Sequence, residues 1–271
     1  MDIPRASEFL TTAVSAARRA GDIILENLGK VTKEDIGLKQ ASDFVTRVDR
    51  EAEESIIAEI RERFPDHLFF AEESLRESGA GQYRWIIDPL DGTTNFIHTY
   101  PVFSVSIALE YRGDIIAGVV FDPLRGELFS AEKGAGAFLN GRTLRVSGVV
   151  DPKNSLVATG FPFRQKEVLD RYLLLFKNVL LGVSDLRRAG SAALDLSSVA
   201  SGRCEAFFEI GLSPWDIAAG SLLIKEAGGV VTDFGGGGDY LRTGNVVAGN
   251  PALHPLLLGS VQEVFRGQID R

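Results

Sequence analysis

The sequence predicts a layered α+β or α/β sandwich, and three features of its 271 residues support this prediction. The first half places short β-rich segments one after another, as antiparallel meanders do. The second half instead alternates strand-like and helix-like segments. The composition, with 45% hydrophobic and 24% charged residues, is that of an ordinary globular protein. We therefore expect a single domain over 1–271, with two packed halves at about 1–150 and 151–271.

In the first half, apolar residues at helical spacing predict two amphipathic helices, at about 9–28 and 45–64. Gly29 suits the end of the first helix, and Pro65 stops the second. Short apolar runs between turn residues predict five strands, at 67–71, 85–87, 103–111, 115–121 and 126–130. Asn140-Gly141 is a hairpin turn signal after the last of them.

In the second half, the same patterns predict strands at 155–160, 206–210, 230–233 and 245–249. Helices are predicted at 165–180, 191–200 and 217–227, with a terminal helix after Pro251. The segment Asp151-Pro152-Lys153-Asn154 is the best boundary between the halves, because it is polar and contains a proline.

Charge and cysteine content limit the classes of function. The net charge is −8, and we find no basic stripe, so no nucleic-acid partner is expected. The single cysteine, Cys204, excludes an intrachain disulfide and favours a reducing compartment. Charged residues interrupt the N-terminal segment, and no apolar run approaches the roughly 18 residues of a membrane span. We expect a cytoplasmic protein that does not enter the membrane.

The most informative segment is an apolar run, Trp85-Ile86-Ile87, followed by two aspartates. Asp88 and Asp91 flank Pro89-Leu90, and Gly92-Thr93 comes directly after them. Carboxylates at the end of a buried strand are costly unless a cation meets them. If Gly92 begins a helix, its free N–H groups make an anion site. A metal ion and a phosphate would together account for this pattern.

Four further acids lie near the ends of predicted elements: Asp49, Glu72, Glu209 and Asp216. Taken singly, each of them could be a helix cap or a solvated side chain. Glu72, Asp88 and Asp91 all follow apolar runs, so we expect them at one edge of a sheet. Oxygen ligands of this kind suit hard cations, chiefly Mg²⁺.

Other catalytic motifs are absent from the sequence. There is no G-x-x-x-x-G-K-[ST] loop, and no G-x-S-x-G elbow. The segment 88–95 does not match an EF-hand loop, because Leu90 occupies its third position. Three scattered histidines and one cysteine lack the ligand spacing of a zinc site.

At this point the chain resembles the inositol monophosphatase family. The segment from Trp85 to His98 is similar to the first signature of the family, and that from Trp215 to Gly229 to the second. Glu72-Glu73-Ser74 matches the acidic motif before the first signature. Arg188-Ala-Gly-Ser-Ala-Ala-Leu-Asp195 resembles the sugar-facing loop and helix. The similarity covers essentially the whole chain, in the expected order.

The resemblance implies a five-layered αβαβα sandwich, as in inositol monophosphatases and fructose-1,6-bisphosphatases, and Mg²⁺-dependent hydrolysis of inositol 1-phosphate. It also implies frequent dimerisation and sensitivity to Li⁺. Three groups of site residues follow from it. One metal is held by Glu72, Asp88 and the Leu90 carbonyl, and a second by Asp88, Asp91 and Asp216. Phosphate and polyol are bound by Asp91, Gly92, Thr93, Gly190, Ser191, Ala192, Glu209 and Asp216. Catalysis is assigned to Asp49, Thr93 and Glu72, with Thr93 and Asp49 orienting the attacking water.

Two phosphatases share this metal site and stay open as alternatives, a fructose-1,6-bisphosphatase and a 3′-phosphonucleotide phosphatase. Glu209 favours a neutral polyol, because a carboxylate accepts hydrogen bonds from hydroxyls and repels a second phosphate. A nucleotide enzyme needs an aromatic or basic pocket. Phe161-Pro162-Phe163-Arg164 could serve as one, but we favour a structural loop there. A third alternative is an interaction or regulatory protein with residual phosphatase activity.

Overall fold

The computed structural model describes residues 7–40, 43–74, 77, 81–163 and 165–266. Within them the helices are α1 (Glu8–Asn27), α2 (Arg47–Arg63), α3 (Thr93–Ile97), α4 (Leu169–Gly182), α5 (Ala192–Ala200), α6 (Pro214–Glu226), α7 (Tyr240–Thr243) and α8 (His254–Phe265). Single 3₁₀ turns occur at Lys33–Asp35, Pro152–Asn154 and Lys166–Val168.

The strands of the first half are β1 (Ile36–Gln40), β2 (Asp43–Thr46), β3 (Leu68–Ala71), β4 (Tyr83–Asp91), β5 (Ser104–Tyr111), β6 (Asp114–Asp122), β7 (Glu127–Glu132), β8 (Gly136–Leu139) and β9 (Arg142–Thr143). Those of the second half are β10 (Leu156–Thr159), β11 (Asp185–Arg187), β12 (Ala206–Glu209), β13 (Val230–Thr232) and β14 (Val246–Gly249).

The strands from β3 to β9 form a seven-stranded sheet in chain order. Only the β3–β4 pair is parallel, and the others form the antiparallel meander predicted from the sequence. The turn between β8 and β9 is the predicted hairpin, with positive φ at Asn140 (48°) and Gly141 (78°). The sheet is longer than predicted because β8 and β9 are too short to give a periodic signal.

The second half contributes a five-stranded mixed sheet in the order β11-β10-β12-β14-β13. Strand β10 is parallel to both of its neighbours, whereas β14 is antiparallel to both of its own. Alternating strands and helices produce the parallel pairs, because each crossover includes a helix. The short edge strand β11 was not predicted from the sequence.

Three cores separate five layers, so the αβαβα sandwich is confirmed. One core packs α1 and α2 against the outer face of the seven-stranded sheet. A second core, between the two sheets, surrounds α5 and α6. The third covers the other face of the five-stranded sheet with α4 and α8. Both faces of strand β4 are buried, since Trp85 and Ile87 belong to the first core and Ile86 to the second.

Helix α6 lies between the sheets, and its small residues permit that position. A Cβ atom on Gly118 of β6 would lie 3.0 Å from the Cα atom of Ala219. On another face, a Cβ on Gly220 would lie 2.6 Å from the Leu196 side chain of α5. Close approach on both faces holds the start of α6 beside the seven-stranded sheet, where the acidic residues lie.

No helix among the described residues is both long and apolar enough to cross a bilayer. Arg164, the last residue of the segment expected to be a structural loop, lies outside the described residues.

Candidate active site

Three buried carboxylates meet at one end of the seven-stranded sheet. Asp88, Asp91 and Asp216 each offer an oxygen, and these atoms lie within 4.8 Å of one another. Glu72 lines the same cavity, which has a volume of about 320 Å³. Burial, and then the charge of Glu72, raise the pKa of Asp88 well above its ordinary range. Such a cluster has the right chemistry to bind a divalent cation.

The sequence correctly predicts that Glu72 and Asp88 lie at the same sheet edge. Strands β3 and β4 are parallel, and the Glu72 N–H donates to the Ile87 carbonyl at 3.1 Å. The strand does not end at Asp88, however. It continues to Asp91, and its register with β5 shifts between these two residues. This irregularity accommodates Pro89, which cannot donate a hydrogen bond to the sheet.

Asp49 and Asp216 are helix caps as well as site residues. Each is the third residue of its helix and accepts a hydrogen bond from the N-cap residue. Asp49 Oδ2 accepts from the Thr46 N–H at 2.8 Å, and Asp216 Oδ2 accepts from the Ser213 N–H at 2.7 Å. From the sequence, each of these acids could be either a helix cap or a site residue. In the structure, each carboxylate is both.

The other oxygen of Asp49 faces Thr93. The Thr93 hydroxyl lies 2.9 Å from Asp49 Oδ1 and 3.1 Å from the Leu90 carbonyl oxygen. It has one proton and can donate to only one of these acceptors at a time. Asp49 is fully buried, and burial raises its pKa to about 6 against the opposing effect of the Thr46 bonds.

Asp91 connects the two halves of the chain. Its Oδ2 atom accepts hydrogen bonds from the Ser191 hydroxyl at 2.6 Å and from the Ala193 N–H at 2.8 Å. Both donors lie at the beginning of α5. Burial raises the pKa of Asp91 to about 6, and the bond from Ser191 acts in the opposite direction. The start of α5 is therefore held directly against the acidic cluster.

Gly92 and Asn95 fix the loop that contains Gly190. Gly92 has a φ of 97°, and a Cβ there would lie 2.9 Å from the Val102 carbonyl oxygen. The Asn95 amide donates to the Val102 carbonyl at 2.7 Å and to that of Ala189 at 3.0 Å. The predicted phosphate-binding and polyol-binding segments are thus adjacent. Helix α3 does begin directly after Gly92, as the sequence suggested.

The far wall of the cavity belongs to the second half of the chain. It is lined by Gly160, Phe161, Phe163, Arg188, Asp195, Glu209 and Leu212. The Glu209 carboxylate lies so close to Gly160 that a Cβ on Gly160 would be 1.9 Å from Oε1. The Arg188 guanidinium lies 5.2 Å from the centre of the Phe161 ring. Burial raises the pKa values of Glu209 and Asp195 well above their ordinary range.

A profile of the inositol monophosphatase family matches residues 5–266 of the chain. The chain belongs to the inositol monophosphatase family. This membership confirms the resemblance inferred from the two signatures.

Individual proteins and a solved structure are also similar to this chain over nearly its whole length. "Nus factor SuhB" of Salmonella typhimurium is 48% identical over 264 residues, covering 97% of this chain and 99% of that protein. An "Inositol-1-monophosphatase" of Mesorhizobium japonicum is 46% identical over 258 residues, covering 95% and 97%. The crystal structure of the extragenic suppressor protein suhB from Bartonella henselae superposes with a TM-score of 0.92. It is 43% identical and covers 95% of this chain and 99% of that one.

All predicted site residues of this family member lie around the cavity or bind its lining. Asp49 is the one that does not itself line it, and it reaches the cavity through Thr93. Two residues of the segment that we expected to be a structural loop, Phe161 and Phe163, line the cavity. A loop without periodicity gave no indication of which way its rings point.

Sequence reasoning missed Glu53, which positions the acidic loop. Its carboxylate is buried, and Oε2 accepts from the Glu73 N–H at 2.8 Å. Glu53 also accepts a hydrogen bond from the Ser74 hydroxyl. A buried glutamate on the core-facing side of an amphipathic helix was the available signal. Glu53 precedes Ile56 and Ile57 by one helical turn.

Proposed function

We propose that the chain is a Mg²⁺-dependent phosphate monoester hydrolase that converts inositol 1-phosphate to inositol and phosphate. The observation that carries the proposal is the cluster of Asp88, Asp91 and Asp216 in a cavity of small-molecule size. Of the described residues lining this cavity, six are acidic and only Arg188 is basic. Carboxylates this close repel one another, and a cation between them removes that repulsion.

The donor atoms fit Mg²⁺, because they are carboxylate and carbonyl oxygens. Glu72, Asp88 and the Leu90 carbonyl would hold one ion, and Asp88, Asp91 and Asp216 a second. Bound there, Mg²⁺ supplies positive charge that acidifies a water molecule and offsets the charge of the phosphoryl oxygens.

The protein's own groups orient the nucleophile. Thr93 donates a hydrogen bond to Asp49, so the lone pairs of the Thr93 hydroxyl can accept a hydrogen bond from the attacking water. Asp49 fixes the direction of that bond and can receive the proton that Thr93 relays. The backbone N–H groups of Gly92 and Thr93 would bind a phosphoryl oxygen.

The polyol would lie against the far wall. Glu209 is the acceptor for its hydroxyls, and Gly190, Ser191 and Ala192 shape the cavity next to it. Because Glu209 repels a second phosphate, it favours a monophosphate over fructose 1,6-bisphosphate. The name of the Mesorhizobium japonicum relative, "Inositol-1-monophosphatase", supports inositol 1-phosphate as the substrate.

Phosphate release tests the proposal. Inositol 1-phosphate, fructose 1,6-bisphosphate and adenosine 3′,5′-bisphosphate should be compared with Mg²⁺, with EDTA, and with Mg²⁺ plus Li⁺. We expect the highest kcat/KM for inositol 1-phosphate, no release in EDTA, and inhibition by Li⁺. A preference for the nucleotide would instead indicate that Phe161 and Phe163 stack on a base, which is the specific observation in favour of that alternative.

A role as a Nus factor is the second candidate, because relatives at 48% identity bear that name. It is compatible with phosphatase activity. Restoration of function in a Salmonella typhimurium strain lacking SuhB, by the wild-type chain and by its Asp216→Asn variant, tests it. Restoration by both proteins would support a role independent of catalysis, and restoration by neither would argue against the candidate.

The remaining proposals are a homodimer, a cytoplasmic location, and a single domain over 1–271. The dimer can be checked by light scattering. Limited proteolysis checks the domain proposal, since a single domain should not yield stable fragments that end near Asp151.

A further inference from the structure

Asp195 is a second acid on the far wall, and the proposed reaction leaves it without a role. Its side chain is only 6% exposed and lines the cavity. No donor among the described residues forms a hydrogen bond with its carboxylate. Burial and the charge of Asp91 raise the pKa of Asp195, and the charge of Arg188 acts in the opposite direction. A buried carboxyl without a partner is costly, so a native protein needs a reason to keep one.

We propose that Asp195 is a specificity-determining residue that binds a hydroxyl group of the polyol, next to the hydroxyl taken by Glu209. This inference rests on the proposed function and extends it from a single acceptor to a pair. Glu209 is likewise buried, lines the same wall, and accepts no hydrogen bond from the described residues. Neighbouring hydroxyls of a cyclitol are the ligand class that satisfies two such acceptors.

The position of Asp195 is fixed by its helix. The first turn of α5 begins at Ser191, whose hydroxyl donates to Asp91, and the Asp195 N–H donates to the Ser191 carbonyl at 3.0 Å. Asp195 is therefore rigidly connected to the acidic cluster that would hold the phosphate end. Because the spacing between Asp195 and the acidic cluster is fixed, the far wall can distinguish the phosphate of a ring with hydroxyls from a phosphate ester without hydroxyls.

Charge on this wall also favours a neutral ligand. Arg188 attracts both Asp195 and Glu209, so one positive charge is shared by two carboxylates. A second phosphate would bring further negative charge to a wall where burial already raises the pKa values of both carboxyls. A hydroxyl, by contrast, can donate to either carboxylate without adding charge.

Substrate preference provides the test. Steady-state kinetics in Mg²⁺ should be measured with inositol 1-phosphate and with p-nitrophenyl phosphate, which has no polyol. For Asp195→Ala, we expect the ratio of the two kcat/KM values to fall about tenfold, mainly through KM for inositol 1-phosphate. Asp195→Asn keeps an acceptor oxygen, so its ratio should fall by only about threefold. The control is Asp170→Asn, an exposed acid outside the cavity, which should keep the wild-type ratio.

Two results would overturn the proposal. One is an unchanged ratio in Asp195→Ala, and the other is an equal fall for both substrates, which would indicate a structural role. Melting curves establish that each variant folds. If Asp195→Ala does not fold, the nearly isosteric Asp195→Asn decides the question by the same ratio.

Failure of the proposed function would look different, because the wild type would then release no phosphate from either substrate. In that case the increase in melting temperature on adding inositol 1-phosphate replaces kinetics. A smaller increase in Asp195→Ala than in the wild type would support the proposal, and equal or absent increases in both would refute it.

Discussion

The Thr93 hydroxyl donates a hydrogen bond to Asp49 Oδ1 at 2.9 Å, between residues that are 44 positions apart. Asp49 in turn is held by Thr46, which caps α2. The orientation of the Thr93 hydroxyl therefore depends on the start of a helix on the outer side of the sheet.

Removing this hydroxyl should abolish most of the activity. We expect Thr93→Val to lower kcat by about 10²–10⁴-fold, the usual contribution of a positioned proton-transfer group. Thr93→Ser keeps the hydroxyl and should lose far less. Phosphate release from inositol 1-phosphate measures both variants. Equal kcat values for the two would contradict the role of the hydroxyl.

Mg²⁺ should stabilise the fold, because it binds the native cluster of carboxylates and not the unfolded chain. At about 100 times the dissociation constant, binding adds about 2.7 kcal/mol, or roughly 5–10 °C in melting temperature. Differential scanning fluorimetry in EDTA and across a Mg²⁺ titration measures this shift. A flat titration up to millimolar Mg²⁺ would count against a metal site.

Asp91→Asn should separate the charge of Asp91 from its hydrogen bonds. Both bonds are accepted by Oδ2, so the single amide oxygen of Asn can accept both. The same holds for Asp216→Asn, whose capping bond goes to one oxygen. We expect both variants to fold, to lose most activity, and to respond weakly to Mg²⁺. Near-wild-type turnover by either would refute its assignment as a ligand.

The stability of the metal-free wild type, compared with that of Asp91→Asn, should depend on pH in a defined direction. Burial raises the pKa of Asp91 from 3.8 to about 6, so the folded carboxyl binds its proton more tightly than the unfolded one. Its contribution to stability is complete below about pH 4 and is lost as the pH rises through 6. In EDTA, the variant should therefore exceed the wild type by roughly 1–3 kcal/mol at pH 8. This difference should close near pH 4.

Urea unfolding at both pH values gives the two free energies. With saturating Mg²⁺ at pH 8, the order should reverse, because the wild type gains the cation. The same excess of the variant at pH 4 and pH 8 would mean that the charge of Asp91 is not responsible.

Gly160→Ala should disturb the polyol wall specifically. The new Cβ would occupy the space of the Glu209 carboxylate, 1.9 Å from Oε1, and Glu209 would have to move. We expect KM for inositol 1-phosphate to rise several-fold, with little change for p-nitrophenyl phosphate. As a control, Gly238→Ala places its Cβ in open space. An unchanged KM in Gly160→Ala would mean that Glu209 does not bind the polyol.

The sequence predicted most of the fold because long elements have clear periods. Helix α1 and the meander from β5 to β7 were found within a few residues. Strands β1 and β11 were missed, since a short edge strand buries too little surface to impose alternation on its sequence. The bulge between Asp88 and Asp91 was also missed, because the register of a strand depends on its partner.

The candidate site was predictable where its residues are close in sequence. The segment from Asp88 to Thr93 contains both the carboxylates and the anion-binding turn, so a metal and phosphate site could be predicted from this segment alone. Asp195 and Phe161 belong to segments that the sequence analysis discussed, but neither was assigned to the site, because the side of an element that faces a cavity depends on distant segments. Glu53 supports the site by accepting bonds from Glu73 and Ser74, and the one sign of this role in the sequence was its position on the core-facing side of an amphipathic helix.

The hydrogen bonds from Ser191 and Ala193 to Asp91 join the start of α5 to the end of β4, and we call this contact the seam. We expect the seam to open locally, without unfolding of the whole chain. If α5 moved away from β4, the site would disassemble while the cores around α1 and α8 stayed intact. A ligand that contacts both α5 and β4 would then keep the seam closed. Slower deuterium uptake by the Ala193 amide would report that the seam is closed. Occupancy of the site would thus be readable from exchange at a single backbone position in the second half of the chain.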